Sequence, residues 1–273
     1  MHKKLLAGIA AGFIASVGFA APASAISAST ADLYVLHAIP NTPVDVWVDG
    51  AVLLEDFAPG TLTPALDLAA GDYEVVITAP NDPITSPVIG PATFTLAANT
   101  SYTVVAHLDA GGAPTATAFV NDLSTIPAGQ GKLTVRHTAA APAVDILANG
   151  TAAFTNLTNP NEVKADLPVG TISAAVALTG TTAPVIGPAN VDIQEGVNTI
   201  VYAWGSAADG NLALAVQTIG GLHSNPDGVN SGQAGLVADP DPALIAWSVA
   251  GMIVLLTAAA FTVTRIRAAR AHR

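Results

Sequence analysis

Apolar and polar positions alternate along most of this chain with a period of two, in short runs broken by Gly, Pro, Asn and Asp. That is the pattern of strands that bury one face, and no stretch between residues 26 and 242 carries a helical period of useful length. In the first half the alternation predicts strands at 33–38, 44–48, 51–54, 65–68, 73–78, 93–96, 102–108 and 115–120. The spacing is that of a sandwich rather than of βαβ units. Asp49-Gly50, between the second and third runs, is a hairpin signal, because a type I′ turn needs positive φ at both central residues.

The pattern then repeats. Leu33-Tyr34-Val35-Leu36-His37 returns as Leu133-Thr134-Val135-Arg136-His137, and Val44-Asp45-Val46-Trp47-Val48-Asp49-Gly50 as Val144-Asp145-Ile146-Leu147-Ala148-Asn149-Gly150, both 100 residues later. Pro87-Val88-Ile89-Gly90-Pro91-Ala92 comes back unchanged as Pro184-Val185-Ile186-Gly187-Pro188-Ala189, now 97 residues on, so the second copy has lost a few loop residues. Self-similarity at one period marks a repeated structural unit. The reading is two all-β modules, 26–123 and 132–219, joined by a linker at 124–131 whose Pro127, Gly129 and Gly131 suit a connection.

Two apolar runs lie outside the alternation. Residues 1–25 have a basic start (Lys3, Lys4), an apolar stretch and a small-residue end, Ala23-Ser24-Ala25, which reads as a secretory signal peptide. Residues 243–264 carry no charge and would rise about 33 Å as a helix, enough to cross a bilayer core. Pro242 precedes that run, Trp247 sits near its outer end, and Arg265, Arg267, Arg270 and Arg273 follow, placing the tail 265–273 in the cytoplasm. Residues 220–242, rich in Gly, Ser, Asn, Asp and Pro, read as a flexible stalk. The expected topology is a single pass through the plasma membrane, N-terminus outside, with an extracellular ectodomain.

Charge sharpens that picture. The 273 residues carry 9 Lys+Arg against 20 Asp+Glu, a net of −11, with 51% hydrophobic and only 11% charged residues and a mean hydropathy of +0.51. Lys132, Arg136 and Lys164 are the only basic residues between the two ends, so that region stands at −17. A nucleic-acid partner is excluded, since phosphate binding needs a concentrated basic surface. The absence of cysteine excludes disulfides, thiolate nucleophiles and cysteine-based zinc sites.

Candidate chemistry reduces to two repeated pairs, His37 with Asp45 and His137 with Asp145. Each histidine shares strand parity with the apolar residues before it (Leu33 and Val35, Leu133 and Val135), so its ring points to the buried face and bonds a loop carbonyl or the following Asp. No G-x-S-x-G elbow, H-E-x-x-H spacing, calcium loop or Gly-rich phosphate loop accompanies them, so no catalytic residue, metal ligand or cofactor is assigned. The remaining repeated signals are the hairpin turns Asp49-Gly50 and Asn149-Gly150. Trp47 falls on the side opposite Val46 and Val48, on an outer face or at a contact between modules; Tyr202 and Trp204 share one strand face.

The opening His37-Ala38-Ile39-Pro40-Asn41-Thr42-Pro43-Val44-Asp45-Val46, with Leu68-Ala69-Ala70-Gly71-Asp72-Tyr73 and Tyr102-Thr103-Val104-Val105 later, resembles the DUF4397 family, a bacterial extracytoplasmic β-sandwich domain of unknown function. The second copy keeps His137, Pro142, Val144, Asp145, Asn149 and Gly150. What the resemblance implies is fold and surface location, not chemistry. The expectation is two tandem immunoglobulin-like antiparallel β-sandwich modules. They form a non-enzymatic, membrane-anchored surface protein that meets an envelope or extracellular protein or glycan. The rival is a metal-dependent binder or envelope enzyme built on the His/Asp pairs.

Overall fold

A computed structural model describes residues 28–224. The segments read from sequence as a signal peptide (1–25), a membrane span (243–264) and a basic tail (265–273), and the expected stalk from residue 225 onward, lie outside the described residues. Within 28–224 the secondary structure is entirely β: sixteen strands in four four-stranded sheets. No helix among the described residues is long and apolar enough to cross a membrane.

The first module comprises β1 (Thr30–Ala38), β2 (Val44–Val48), β3 (Ala51–Phe57), β4 (Leu66–Ala69), β5 (Gly71–Thr78), β6 (Pro87–Leu96), β7 (Thr100–Leu108) and β8 (Pro114–Val120). They form sheets of order β4-β1-β7-β8 and β3-β2-β5-β6. The second module repeats the arrangement with β9 (Gln130–Ala140), β10 (Val144–Ala148), β11 (Thr151–Leu157), β12 (Glu162–Pro168), β13 (Gly170–Leu178), β14 (Pro184–Ile193), β15 (Asn198–Ser206) and β16 (Ala213–Ile219). Its sheets run β12-β9-β15-β16 and β11-β10-β13-β14, the first order shifted by eight strands.

Inside each sandwich the core follows the period-two rule. Leu33, Val35, Val104 and Ala106 of one sheet meet Val46, Ile77 and Leu96 of the other in module one, and Leu133, Val135 and Val201 meet Ile146, Val176 and Ile193 in module two. The identical Pro-Val-Ile-Gly-Pro-Ala segments bend edge strands β6 and β14 at register shifts. A Cβ at Gly90 would stand 2.6 Å from the Val75 carbonyl oxygen, and one at Gly187 2.9 Å from that of Ala174. Both glycines also have positive φ, so no other residue fits the bend.

Two expectations need correction. The sheets are not purely antiparallel: β1 pairs with β7 in parallel from Ala31↔Thr100 to Ala38↔His107, and β9 pairs with β15 the same way. Hairpin signals report only pairs adjacent in sequence, whereas these strands join across more than half a module. Nor are 124–131 and the start of the stalk free segments. Ile126 is wholly buried, its N–H donates to the Leu222 carbonyl at 2.7 Å, and the Ser224 N–H donates back to the Ile126 carbonyl at 3.0 Å. Gln130 and Gly131 already belong to β9, and Leu222 is buried.

The parallel pairs explain the deepest burial. Parallel strands are covered on both faces almost wherever they occur, and β9 is buried at nine consecutive positions, from Gly131 to Ala139. The second cover is the other module. Leu36, Ala38, Val105 and Phe119 of module one pack against Ile200, Tyr202 and Ile219 of module two, with Tyr34, Leu62 and Trp204 at the margin. The four sheets are therefore stacked in four layers with three cores, the middle one shared between modules.

Candidate functional site

The repeated histidines and aspartates are fixed by the loops that follow their strands. His37, at the core-facing end of β1, is fully buried. Its Nε2–H donates to the Thr42 carbonyl at 2.8 Å, and its Nδ1 accepts the Ile39 N–H at 3.4 Å. A carbonyl can only accept, so the proton sits on Nε2 and the ring is neutral. His137 does the same with the Pro142 carbonyl (3.1 Å) and the Ala139 N–H (3.3 Å). Burial pushes both imidazoles below the usual histidine range, further than the carbonyl bonds raise them. Phe57 stacks on the His37 ring at 5.9 Å between centroids.

The aspartates serve other backbone groups. Asp45 Oδ1 accepts the Asp56 N–H at 2.8 Å and Oδ2 the Asn81 N–H at 3.1 Å. Asp145 accepts from Asn156 and Gly180 at 2.9 Å each, and those two bonds hold its carboxyl below the usual range. Asp56 and Asn156 have positive φ where β3 and β11 bulge, so each carboxylate pins a bulge to a distant turn. Neither carboxylate is a hydrogen-bond partner of the neighbouring histidine. The arrangement shapes backbone, and among the described residues no group of three His, Cys, Asp or Glu side chains converges to hold a metal.

A direct expectation is that Asp45→Ala lowers the free energy of unfolding by about 1–3 kcal/mol, since two partly buried N–H groups lose their acceptor. Asp45→Asn, which retains one carbonyl oxygen, should lose less. Urea melts of the two variants decide it, and equal losses would count against the staple.

The hairpin turns are built as the dipeptides require. Asp49 and Gly50 have φ of 49° and 79°, Asn149 and Gly150 of 51° and 80°. Asp49 Oδ1 also accepts the Glu74 N–H at 2.9 Å, and Asn149 Oδ1 the Ser173 N–H at 3.0 Å, tying each turn to the next strand. Trp47 is half-buried and donates its indole N–H to Thr78 Oγ1 at 3.0 Å.

The most concentrated polar chemistry lies elsewhere, in the middle core. Arg136 is 1% exposed and projects from β9 toward module one. Its Nε donates to Glu162 Oε2 at 2.8 Å, and its Nη1 to the Tyr202 hydroxyl at 2.7 Å and Asn121 Oδ1 at 3.1 Å. Its guanidinium carbon stands 4.5 Å from the centroid of Phe119 and 5.3 Å from that of Tyr202. Tyr202 in turn donates to Gln217 Oε1 at 2.6 Å, and Thr103 Oγ1 lies 3.0 Å from the same oxygen. At one end Lys132 bridges to Asp122 at 2.9 Å; at the other Asn159 Nδ2 donates to carbonyls of both modules, Leu108 at 2.8 Å and Ala139 at 2.7 Å. A signal for this seam stood in the repeat: Arg136 stands where the first copy has Leu36, and it is one of only three basic residues between the chain ends.

The end of module two remote from the hairpin turn holds a cleft of about 580 Å³, with His137, Ala139 and Ala203 in its lining and Leu178, Val185 and Leu212 among its aliphatic walls.

Comparison with curated proteins gives no match for this chain. A family model does match, from Ala31 in β1 to Leu147 in β10, which takes in all of module one after its first residues and the first two strands of module two. Residues 31–147 are thus similar to the family described as Domain of unknown function (DUF4397).

Proposed function

We propose that this is a membrane-anchored bacterial surface protein, not an enzyme, whose two tandem DUF4397-type, immunoglobulin-like modules are displayed as one rigid unit to meet an envelope or extracellular protein or glycan. The observation that carries this reading is the shared middle core: a buried arginine and its partners lock the modules together, as a display element needs and two independent domains on a string do not. The engagement of both ring nitrogens of His37 and His137 with backbone supports a non-catalytic role for them. In this reading residues 1–25 direct export, 225–242 form the stalk, 243–264 span the membrane and 265–273 stay in the cytoplasm. The scarcity of Lys and Arg between the basic ends supports that orientation.

Protease added to intact cells is expected to release a fragment whose C-terminus lies in 225–242; protection of the modules would overturn the topology. The full chain, screened against cell-wall glycans and envelope proteins, is expected to retain binding in His37→Gln and His137→Gln variants that unfold at lower temperature. Binding abolished in a variant that keeps its melting temperature would return the pairs to a direct role.

A further inference from the structure

We infer that the cleft in module two is a binding site for an uncharged, apolar small molecule. The duplicated architecture supplies an internal comparison. In module one Ile39 follows the buried histidine and packs on the core, whereas the corresponding residue of module two is Ala139. Ala141, Ala207, Ala208 and Gly210 continue the theme of small residues around the opening. Large-to-small replacement in a packed sandwich ordinarily carries a stability cost unless the space is used.

The lining selects the ligand. No Asp, Glu, Lys or Arg side chain faces the cleft, although the chain around it is strongly acidic. An anion is repelled by the surroundings, and a cation finds no carboxylate inside. His137 contributes a neutral ring whose nitrogens are already bonded to backbone, so it offers an aromatic surface rather than a charge. Leu178 and Val185 at the walls remain exposed to solvent, at 37% and 42%, and are the surface a bound apolar group would cover. The volume lies in the range of small-molecule sites. The inference does not depend on where the chain is anchored or on what its outer surface meets.

Titration of the full chain with Nile red, an uncharged apolar fluorophore, tests it. One saturable site per chain is expected, weakened about tenfold or more in Ala139→Ile, which installs the module-one residue, and likewise in Ala207→Leu at the mouth. The two substitutions sit on different elements, so loss of fold in one leaves the other as the test; both are checked by melting temperature. Absence of a saturable component would overturn the inference, as would saturable binding that survives a folded Ala139→Ile or Ala207→Leu variant.

Discussion

Arg136→Ala is expected to lower the free energy of unfolding by about 3 kcal/mol or somewhat more, the largest effect of any single substitution considered. Removing one partner of a buried ion pair costs about 3–5 kcal/mol, because the remaining charge and dipoles lose their compensation. Here Glu162 is 23% exposed and recovers some hydration, which places the loss toward the lower end. Asn121 Oδ1 and the Tyr202 hydroxyl have no such relief, and the rings of Phe119 and Tyr202 lose the cation between them. In a chain of this size the melting temperature should fall by about 6–12 °C. Arg136→Leu paired with Glu162→Gln installs the residue of the first copy and removes the stranded charge, so it should recover much of the loss. Urea unfolding of the full chain measures both, and a loss below about 1 kcal/mol for Arg136→Ala would show that the buried arginine does not hold the modules together.

The second large effect is on acid stability. His37, His107 and His137 are all buried, and burial lowers the affinity of each for a proton in the folded state. His107 donates from Nδ1 to the Leu108 carbonyl at 2.8 Å and has Thr117 Oγ1 2.9 Å from Nε2. Asp109 raises its proton affinity and nearby His137 lowers it, both less than burial does. Since the unfolded chain takes up protons at these sites near pH 6.5 and the folded chain does not, stability must fall as pH drops below about 6.5. Each histidine contributes a slope of up to about 1.4 kcal/mol per pH unit until its own lowered folded value is reached.

A second decline follows in more acid solution. Burial raises Asp122, but hydrogen bonds from Ser124 and Lys132 and the Lys132 charge outweigh it and hold the carboxyl well below the usual range; Asp145 is held down by its backbone bonds. Their contribution is present above the ordinary carboxylate range and is lost as pH falls through their folded values. Asp32 works the other way, raised by burial and by Asp67 opposite it in β4, so its protonation opposes the decline. Denaturant melts at pH 5.0 and 7.5 should show the higher stability at the higher pH, with the difference reduced when the three histidines are replaced by glutamine. Equal stability at the two values would rule out the histidine contribution.

The alternation of single residues was enough to place all eight strands of module one, since a half-buried strand writes its own period into the chain. The turn dipeptides at Asp49-Gly50 and Asn149-Gly150 specified their hairpins because so few residues tolerate positive φ. Pairings between distant strands left no such mark. Nothing local to Ala31–Ala38 names Thr100–His107 as its neighbour, and an antiparallel sheet was the natural expectation. The middle core was half visible: Leu36, Val105 and Ile200 break strict alternation by being apolar on the face opposite the sandwich core, but a strand buried on both sides looks from sequence like any apolar run. Arg136 was conspicuous as a charge and misleading as a position, because a lone arginine suggests a surface until its partners from β8, β12 and β15 are assembled around it. For the His/Asp pairs, parity gave the direction of the rings, while the separate destinations of ring and carboxylate depended on loops whose course no pattern encodes.

The parallel joining of β1 to β7 also governs how the chain can acquire its structure. The first strand of each module must wait for a partner about 70 residues later in the chain before its central ladder can form. The outer face of module one then remains uncovered until β15 and β16 of module two arrive. Sequence-distant pairing of this kind makes folding slow and leaves apolar surface open in the interim. Completion of the last two strands is therefore the event that closes both the core of module two and the shared middle core, and a chain cut short before β15 would leave those two open.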